Sequence, residues 1–239
     1  MKDYTISVIK LTDETLMRKA CETTFLGFSN QKLLSIYKSE HSPARTQMFW
    51  ITLKNIPLFI STHLLRHHVG SVPFQLTCRE DRRGGNPNFQ GTIDCINRSL
   101  NNAASSDDLN EIKSTILQST SHLEELKDRA DRYTPVNLSL LINAQSLIDM
   151  AKLRLCAQAH RETREVFQSL KDEVAKVDPD LAKMMVRKCV YRGGLCGEPR
   201  SCGFNDTPGF LKELSEYSQS FSSKQLGFSS FTINQLISK

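Results

Sequence analysis

Apolar positions along the chain recur with two periods, and the changes of period mark its elements. After a short apolar-alternating start, Leu16, Met17, Ala20 and Cys21 recur at helical spacing behind Thr12 and Asp13, either of which can cap a helix. From Met48 to Ile56 the period becomes two, with Phe49, Ile51 and Leu53 on one side and Met48, Trp50 and Thr52 on the other, which predicts a strand buried on both faces. Asn55 and Pro57 then supply a cap and a first-turn proline. The stripe Leu58, Phe59, Ile60, Leu64 and Leu65 predicts a helix that delivers Arg66, His67 and His68 at its end.

Residues 84–106 are rich in glycine, asparagine and serine and lack a period, so they read as a long loop over a site. Ser106 or Asp107 caps the next helical stripe, through Leu109, Ile112, Ile116, Leu117, Leu123 and Leu126. Beyond Pro135, Leu138, Leu141, Ile142, Leu147, Ile148, Ala151 and Leu155 predict one long helix from about Leu138 to Val174, with Pro179 as a stop beyond it. The glycine- and cysteine-rich stretch from Cys189 to Cys202, and the serine-rich one from Ser215 to Lys239, predict an irregular and partly mobile C-terminal extension.

Composition narrows the class without choosing a function. At 239 residues, with 39% hydrophobic and 24% charged residues, the chain is long enough for a sizeable core and too apolar for a disordered polymer. A net charge of +5 suits an anionic small molecule as well as nucleic acid, and the basic cluster lacks the interleaved aromatics of a nucleic-acid surface, so no nucleic-acid partner is expected. The first eleven residues carry Asp3 and no long apolar core, and no apolar run is long enough to span a bilayer, which predicts a cytoplasmic protein with no membrane partner. Seven cysteines, four of them scattered at 21, 78, 95 and 156, predict reduced thiols. Cys189, Cys196 and Cys202 lack paired Cys-x-x-Cys spacing and an evident fourth ligand, so the segment is expected to hold no metal. The lone Cys156 reads as a small core hydrophobe.

Two groups of residues carry candidate chemistry. Arg66, His67 and His68, then Gly70, Ser71, Arg79, Arg82 and Arg83, gather many donors around a glycine that permits close backbone approach. Arginine forks match phosphate oxygens in pairs, so this is a candidate phosphate cradle at the end of an anchored helix; a solvated basic turn is the alternative. In the second group, Asn143, Leu147, Met150, Arg154 and Gln158 fall along one stripe of the predicted long helix, polar members toward a cavity and apolar ones in its wall. An arginine in such a stripe needs an anionic or carbonyl partner, because burying it unpaired costs several kcal/mol. The alternative is that Arg154 snorkels to solvent.

His41-Ser42-Pro43, the strand and helix after it, and Arg66-His67-His68-Val69-Gly70-Ser71 through Arg79 resemble the first conserved region of flavin-dependent thymidylate synthases, whose signature reads Arg-His-Arg-x-x-Ser-x-Asn-Glu-x-Ser-x-Arg. Asn143-Ala144-Gln145-Ser146-Leu147, then Leu153-Arg154 and Gln158 through Glu165, resemble the second. The third signature residue is His68, the Asn-Glu pair is missing and the closing Arg79 sits one position late, a pattern similar to a divergent, phage-type branch. The likeness spans roughly residues 40–170.

The resemblance implies an α+β fold, a single domain with helices packed on a mixed or antiparallel sheet, at residues 1–185 with an extension at 186–239. It implies a homotetramer with flavin sites between subunits. The activity implied is transfer of a one-carbon unit from methylenetetrahydrofolate to C5 of dUMP, with FAD as cofactor and NADPH as reductant, giving dTMP. By the same resemblance Arg66, His67, His68, Asn143, Gln145, Asp149, Leu153 and Gln158 would hold FAD, with Asp149 in place of an amide and Gln145 in place of an arginine. His63, Ser71, Gln75, Thr77 and Arg79 would hold the nucleotide, with Arg132 reaching it from a neighbouring subunit, and Arg154 would polarise the uracil ring as the catalytic residue. A related flavin and folate enzyme making a hydroxymethylated or otherwise modified pyrimidine stays open, as does a non-catalytic metal-binding or interaction protein.

Overall fold

A computed structural model describes residues 4–25, 32–76, 110, 112–114, 116 and 132–221. Four strands form one sheet in the order β1-β2-β4-β3: β1 (Thr5–Lys10), β2 (Met48–Pro57), β3 (Ser71–Gln75) and β4 (Pro135–Asn143). Every pairing is antiparallel, and Met48 opposite Asn143 through Leu53 opposite Leu138 fixes the central register. Pro73 lies in β3, an edge strand, where a missing N–H is tolerated.

The helices around the sheet are α1 (Glu14–Phe25), α2 (Leu33–Ser39), α3 (Leu58–Leu65), α4 (Ala144–Arg154), α5 (Arg161–Val177), α6 (Pro179–Met184), α7 (Lys188–Tyr191) and α8 (Pro208–Ser218). Phe49, Ile51 and Leu53 of β2 share a sheet face with Ile142, Leu140 and Leu138 of β4. All six are buried in one core with Ile60 and Leu64 of α3, Leu147 and Ile148 of α4, and Phe167 and Leu170 of α5. This is the expected α+β fold, with an antiparallel sheet.

Only one face of β2 is fully buried, contrary to the prediction: Met48, Trp50 and Thr52 stay half-exposed on the face opposite the core. That open face also carries the exposed Ile9, Val72 and Phe74, with Trp50 stacked at a tilt 5.4 Å from Phe74. The cap assigned to Asn55 is a second correction. Asn55 occupies a register shift in β2 with φ 59°, its N–H donating to Asn137 Oδ1, and Pro57 precedes α3.

The long helix expected over 138–174 is three elements. Val136, Leu138, Leu140 and Ile142 alternate as the buried side of β4, and the chain turns at Asn143 into α4, breaks after Arg154, and resumes as α5 at Arg161. The extension is likewise more regular than its composition suggests. Thr207 accepts from the Phe210 N–H and caps α8, whose Phe210 joins Val186 and Val190 in a small second apolar cluster. Asp13, as expected, accepts from the Thr15 N–H at the start of α1. The loop 84–106, most of the helical stripe after it, and residues 222–239 lie outside the described residues.

Candidate active site

The two motif groups, separated by some seventy residues in sequence, meet where α3 ends and α4 begins. Asn143 caps α4, its Oδ1 accepting from the Ser146 N–H at 2.9 Å, and the Asn143 N–H donates to the Gly70 carbonyl. Ser146 Oγ donates to the Val69 carbonyl at 2.6 Å. Gly70 has φ 71°, and a Cβ there would collide with Asn143 Nδ2 and Ser146 Oγ, so the tight turn and close approach both require glycine. The Arg66–Ser71 turn is therefore clamped to the first turn of α4.

Arg154, at the other end of α4, donates from Nε to His67 Nε2 at 2.9 Å. Burial, reinforced by the Arg154 charge, pushes the His67 pKa down to about 4, so the ring is neutral near pH 7 with its proton on Nδ1. Arg154 is itself half-buried, and burial plus the nearby Arg66 guanidinium weaken its hold on its proton without neutralising it. Its terminal nitrogens make no hydrogen bond with another described residue. A planar cation held at one edge, with its outer fork open, suits a carbonyl or an anion.

A second group of basic and aromatic side chains gathers around Phe59. The α3 N-terminus receives the strand of chain before β4: Leu58 N–H donates to Thr134 O and Phe59 N–H to Arg132 O. This lays the Arg132 guanidinium 4.6 Å above the Phe59 ring and 5.4 Å from that of Tyr133. Edge-on to Phe59 stand Tyr133, His63 and His160, with ring centres 5.4, 5.7 and 4.9 Å away. His63 Nδ1 shares a hydrogen bond of 3.0 Å with Thr163 Oγ1. Burial lowers the His63 pKa first, then Arg154, Arg66, His160 and Arg132 in turn, so the charges acting on it are all positive. Such a gathering is stabilised when an anionic ligand enters it.

The remaining sequence-predicted residues divide. Arg66 and His68 are exposed at the turn, and Leu153 is 43% exposed. Gln145 and Asp149 face another group: Gln145 Nε2 donates to Glu40 Oε2 at 2.6 Å, and Lys152 bridges Glu40 at 2.8 Å and Asp149 at 3.1 Å beneath the Tyr191 ring. The buried Gln145 Oε1 has no partner among the described residues. Gln158 lies beyond the end of α4, donating to the Arg200 carbonyl, so it does not share one helical stripe with Asn143. Gln75 accepts from the buried Ser61, and Ser71 opens β3. Thr77 and Arg79, with Arg82 and Arg83, fall outside the described residues.

Sequence reasoning assigned no role to Phe59, Tyr133, His160 or Thr163 in this pocket. A helical turn separates Phe59 from His63, which could have paired them; Tyr133 and His160 come from distant segments and needed the fold.

The depressed pKa of His67 gives a pH dependence of stability. An ordinary histidine titrates near ~6.5, so the unfolded chain binds the proton first, and the stabilisation from neutral His67 is complete above that value and lost as pH falls toward about 4. His67→Gln, whose amide offers Arg154 an acceptor that does not titrate, should flatten the fall in Tm between pH 7 and pH 4. Parallel Tm curves for the two proteins would contradict the assignment.

The model of the thymidylate synthase complementing protein family matches residues 13–180. Among solved structures, a UMP/dUMP methylase, PolB, from Streptomyces cacaoi bound with 5-Br dUMP is 18% identical, covering 77% of this chain and 95% of its own, with a TM-score of 0.50. Thymidylate synthase ThyX from Helicobacter pylori, solved with FAD and dUMP, is 16% identical over 76% of this chain and all of its own, with a TM-score of 0.52. At these identities the structural likeness speaks for the fold alone. No match was found among curated proteins.

Proposed function

The chain belongs to the thymidylate synthase complementing protein family, and from this premise we propose that it methylates dUMP at C5 with a flavin, taking the carbon from methylenetetrahydrofolate and reducing equivalents from NADPH, and releasing dTMP. The observation that carries this reading is the half-buried Arg154–His67 pair at the junction of the two motif segments, with Arg154, Arg66, His160 and Arg132 all near enough to His63 to act on it.

In this reading Arg154 directs its outer fork at a uracil carbonyl and stabilises the negative charge that develops there as C5 becomes nucleophilic. His67 is a positioning residue: by accepting from Nε it fixes the plane of the guanidinium. Arg132 supplies positive charge for the nucleotide, His63 and His160 supply ring nitrogens, and Phe59 with Tyr133 gives that end of the pocket an apolar floor. Arg79 and Thr77 are assigned to the nucleotide by resemblance, with Ser71 and Thr77 as binding hydroxyls and no side-chain nucleophile.

The donor set fits FAD in part. Arg66, His67 and exposed Leu153 present cationic, polar and apolar surface around the start and end of α4, and Asn143 orients the turn between them. Asp149 is held by Lys152, so its share in a cofactor site would be through that lysine. When bound, FAD supplies the hydride-transfer chemistry that no side chain here possesses. Residues 1–185 form the catalytic domain and 186–239 the extension. A cytoplasmic homotetramer is the proposed form, supported by the apolar Ile9, Val72 and Phe74 on the open sheet face.

Titration of the purified oligomer with FAD tests the cofactor assignment. Saturable binding with a bound-flavin absorbance is expected, and Arg79→Ala should weaken dUMP while leaving that absorbance intact. A folded oligomer that binds no FAD at saturation would overturn the synthase reading.

A further inference from the structure

The motif segments leave the cysteines of the extension unexplained, and the fold gives them a companion. Cys156, just past the end of α4, lines one small cavity with Cys189, Cys196 and Cys202, which lie beyond the family match at residues 13–180. All four thiols are free. The sequence offered three cysteines and no fourth ligand; the fold brings the fourth from more than thirty residues away.

We propose that Cys156, Cys189, Cys196 and Cys202 form a structural site for a soft divalent cation, zinc by preference, that pins the extension to the end of α4. The cavity measures about 20 Å³, room for one water-sized occupant. Zinc takes four thiolates in a tetrahedron, and four cysteines converging on one such space match that donor number. Binding releases the four thiol protons to solvent, leaving a zinc–tetrathiolate group of charge −2. Lys188 lines the same cavity but is paired with Glu198 at 3.5 Å, so Arg192, which lies against Gly197 beside Cys196, is the cation placed to offset that charge.

As placed, no three donors among the described residues stand close enough to hold an ion, so binding requires the exposed Cys196 and Cys202 to draw in toward the half-buried Cys156 and Cys189. Gly193, Gly194 and Gly203, all with positive φ, give the connecting segments the freedom to do so.

The segment also needs such an anchor. From Arg192 to Gly203 it has no helix or strand and leaves most side chains exposed, Leu195 by 72%.

The test uses the full chain, freed of any affinity tag. Elemental analysis should find one zinc per chain, and cobalt(II) added to metal-free protein should give the intense sulfur-to-cobalt charge-transfer band of tetrahedral thiolate coordination. Cys189→Ser and Cys156→Ser should each weaken cobalt binding at least tenfold, whereas Cys21→Ser, buried in the core elsewhere, should not. The cobalt spectrum needs no variant, so misfolding of a serine mutant leaves the test intact. A wild-type protein without the band, cobalt binding unchanged in both cavity variants, or a disulfide among the four in protein kept under reductant would each overturn the site. None of these outcomes depends on flavin or nucleotide, so metal binding and the proposed synthase activity succeed or fail separately.

Discussion

Arg154→Ala should lower dTMP formation by about 10² or more while FAD remains bound. The size follows from removing a charged donor aimed at an oxygen that gains negative charge in the transition state; hydrogen bonds to charged groups contribute about 1.5–3 kcal/mol, and loss of one preorganised donor costs about 10²–10³ in kcat. The selectivity follows from geometry. Arg154 ends α4 and holds His67, whereas the clamp of the Arg66–Ser71 turn rests on Asn143, Ser146 and Gly70 at the opposite end of the helix. Arg154→Lys should recover little, because an ammonium cannot donate from one edge to His67 while presenting a planar fork to a carbonyl. Product formation, dUMP binding and flavin content measured on the same preparations check this. Near-normal turnover in Arg154→Ala would remove the uracil site from Arg154 even in an active synthase.

The largest effect on stability should come from Asp178, far from that pocket. Its carboxylate is 2% exposed and serves three partners: Lys10 at 2.7 Å, the Tyr37 hydroxyl at 2.9 Å and the Leu181 N–H at 3.0 Å, the last as the cap of α6. It ties β1, α2 and α6 together. Burial and the Asp178 charge raise the pKa of Tyr37 far above the usual tyrosine value, so this hydroxyl keeps its proton and donates near neutral pH. Asp178→Ala strands two buried donors and a cation at once and should cost about 3–5 kcal/mol, or roughly 6–20 °C in Tm for a chain of this size. Asp178→Asn keeps an acceptor for the cap and should cost less. Thermal melts at equal protein concentration check the order; equal Tm for wild type and Asp178→Ala would contradict the network's role.

The sequence revealed strand β2, helix α3 and the basic turn after it because their periods are unambiguous and their ends carry Pro57 and Gly70. It misled at β4, where Leu138, Leu140, Leu141 and Ile142 satisfy spacings of two, three and four together, so period alone cannot separate strand from helix. The cue lay in Asn143, an N-cap residue read as part of a helix interior. In the extension, abundant glycine and serine hid α8, although Thr207-Pro208 is a regular helix opening. Within the site, Arg154, Arg66 and His67 stood out through residue type and resemblance. Their partnership, and the Phe59–Tyr133–His160 cluster, depends on segments that only the fold brings together. The same holds for Cys156, which looked like an isolated core thiol until α7 and the chain after it were placed beside the end of α4.

The most direct measurement is mass spectrometry of the nucleotide formed when the purified chain is incubated with dUMP, FAD, methylenetetrahydrofolate and NADPH. The expected product is dTMP, heavier than dUMP by one methylene unit, formed only when all components are present and lost in Arg154→Ala. A product carrying an added oxygen would move the activity to hydroxymethylation. Unchanged dUMP from a folded, flavin-loaded protein would contradict the proposed synthase function.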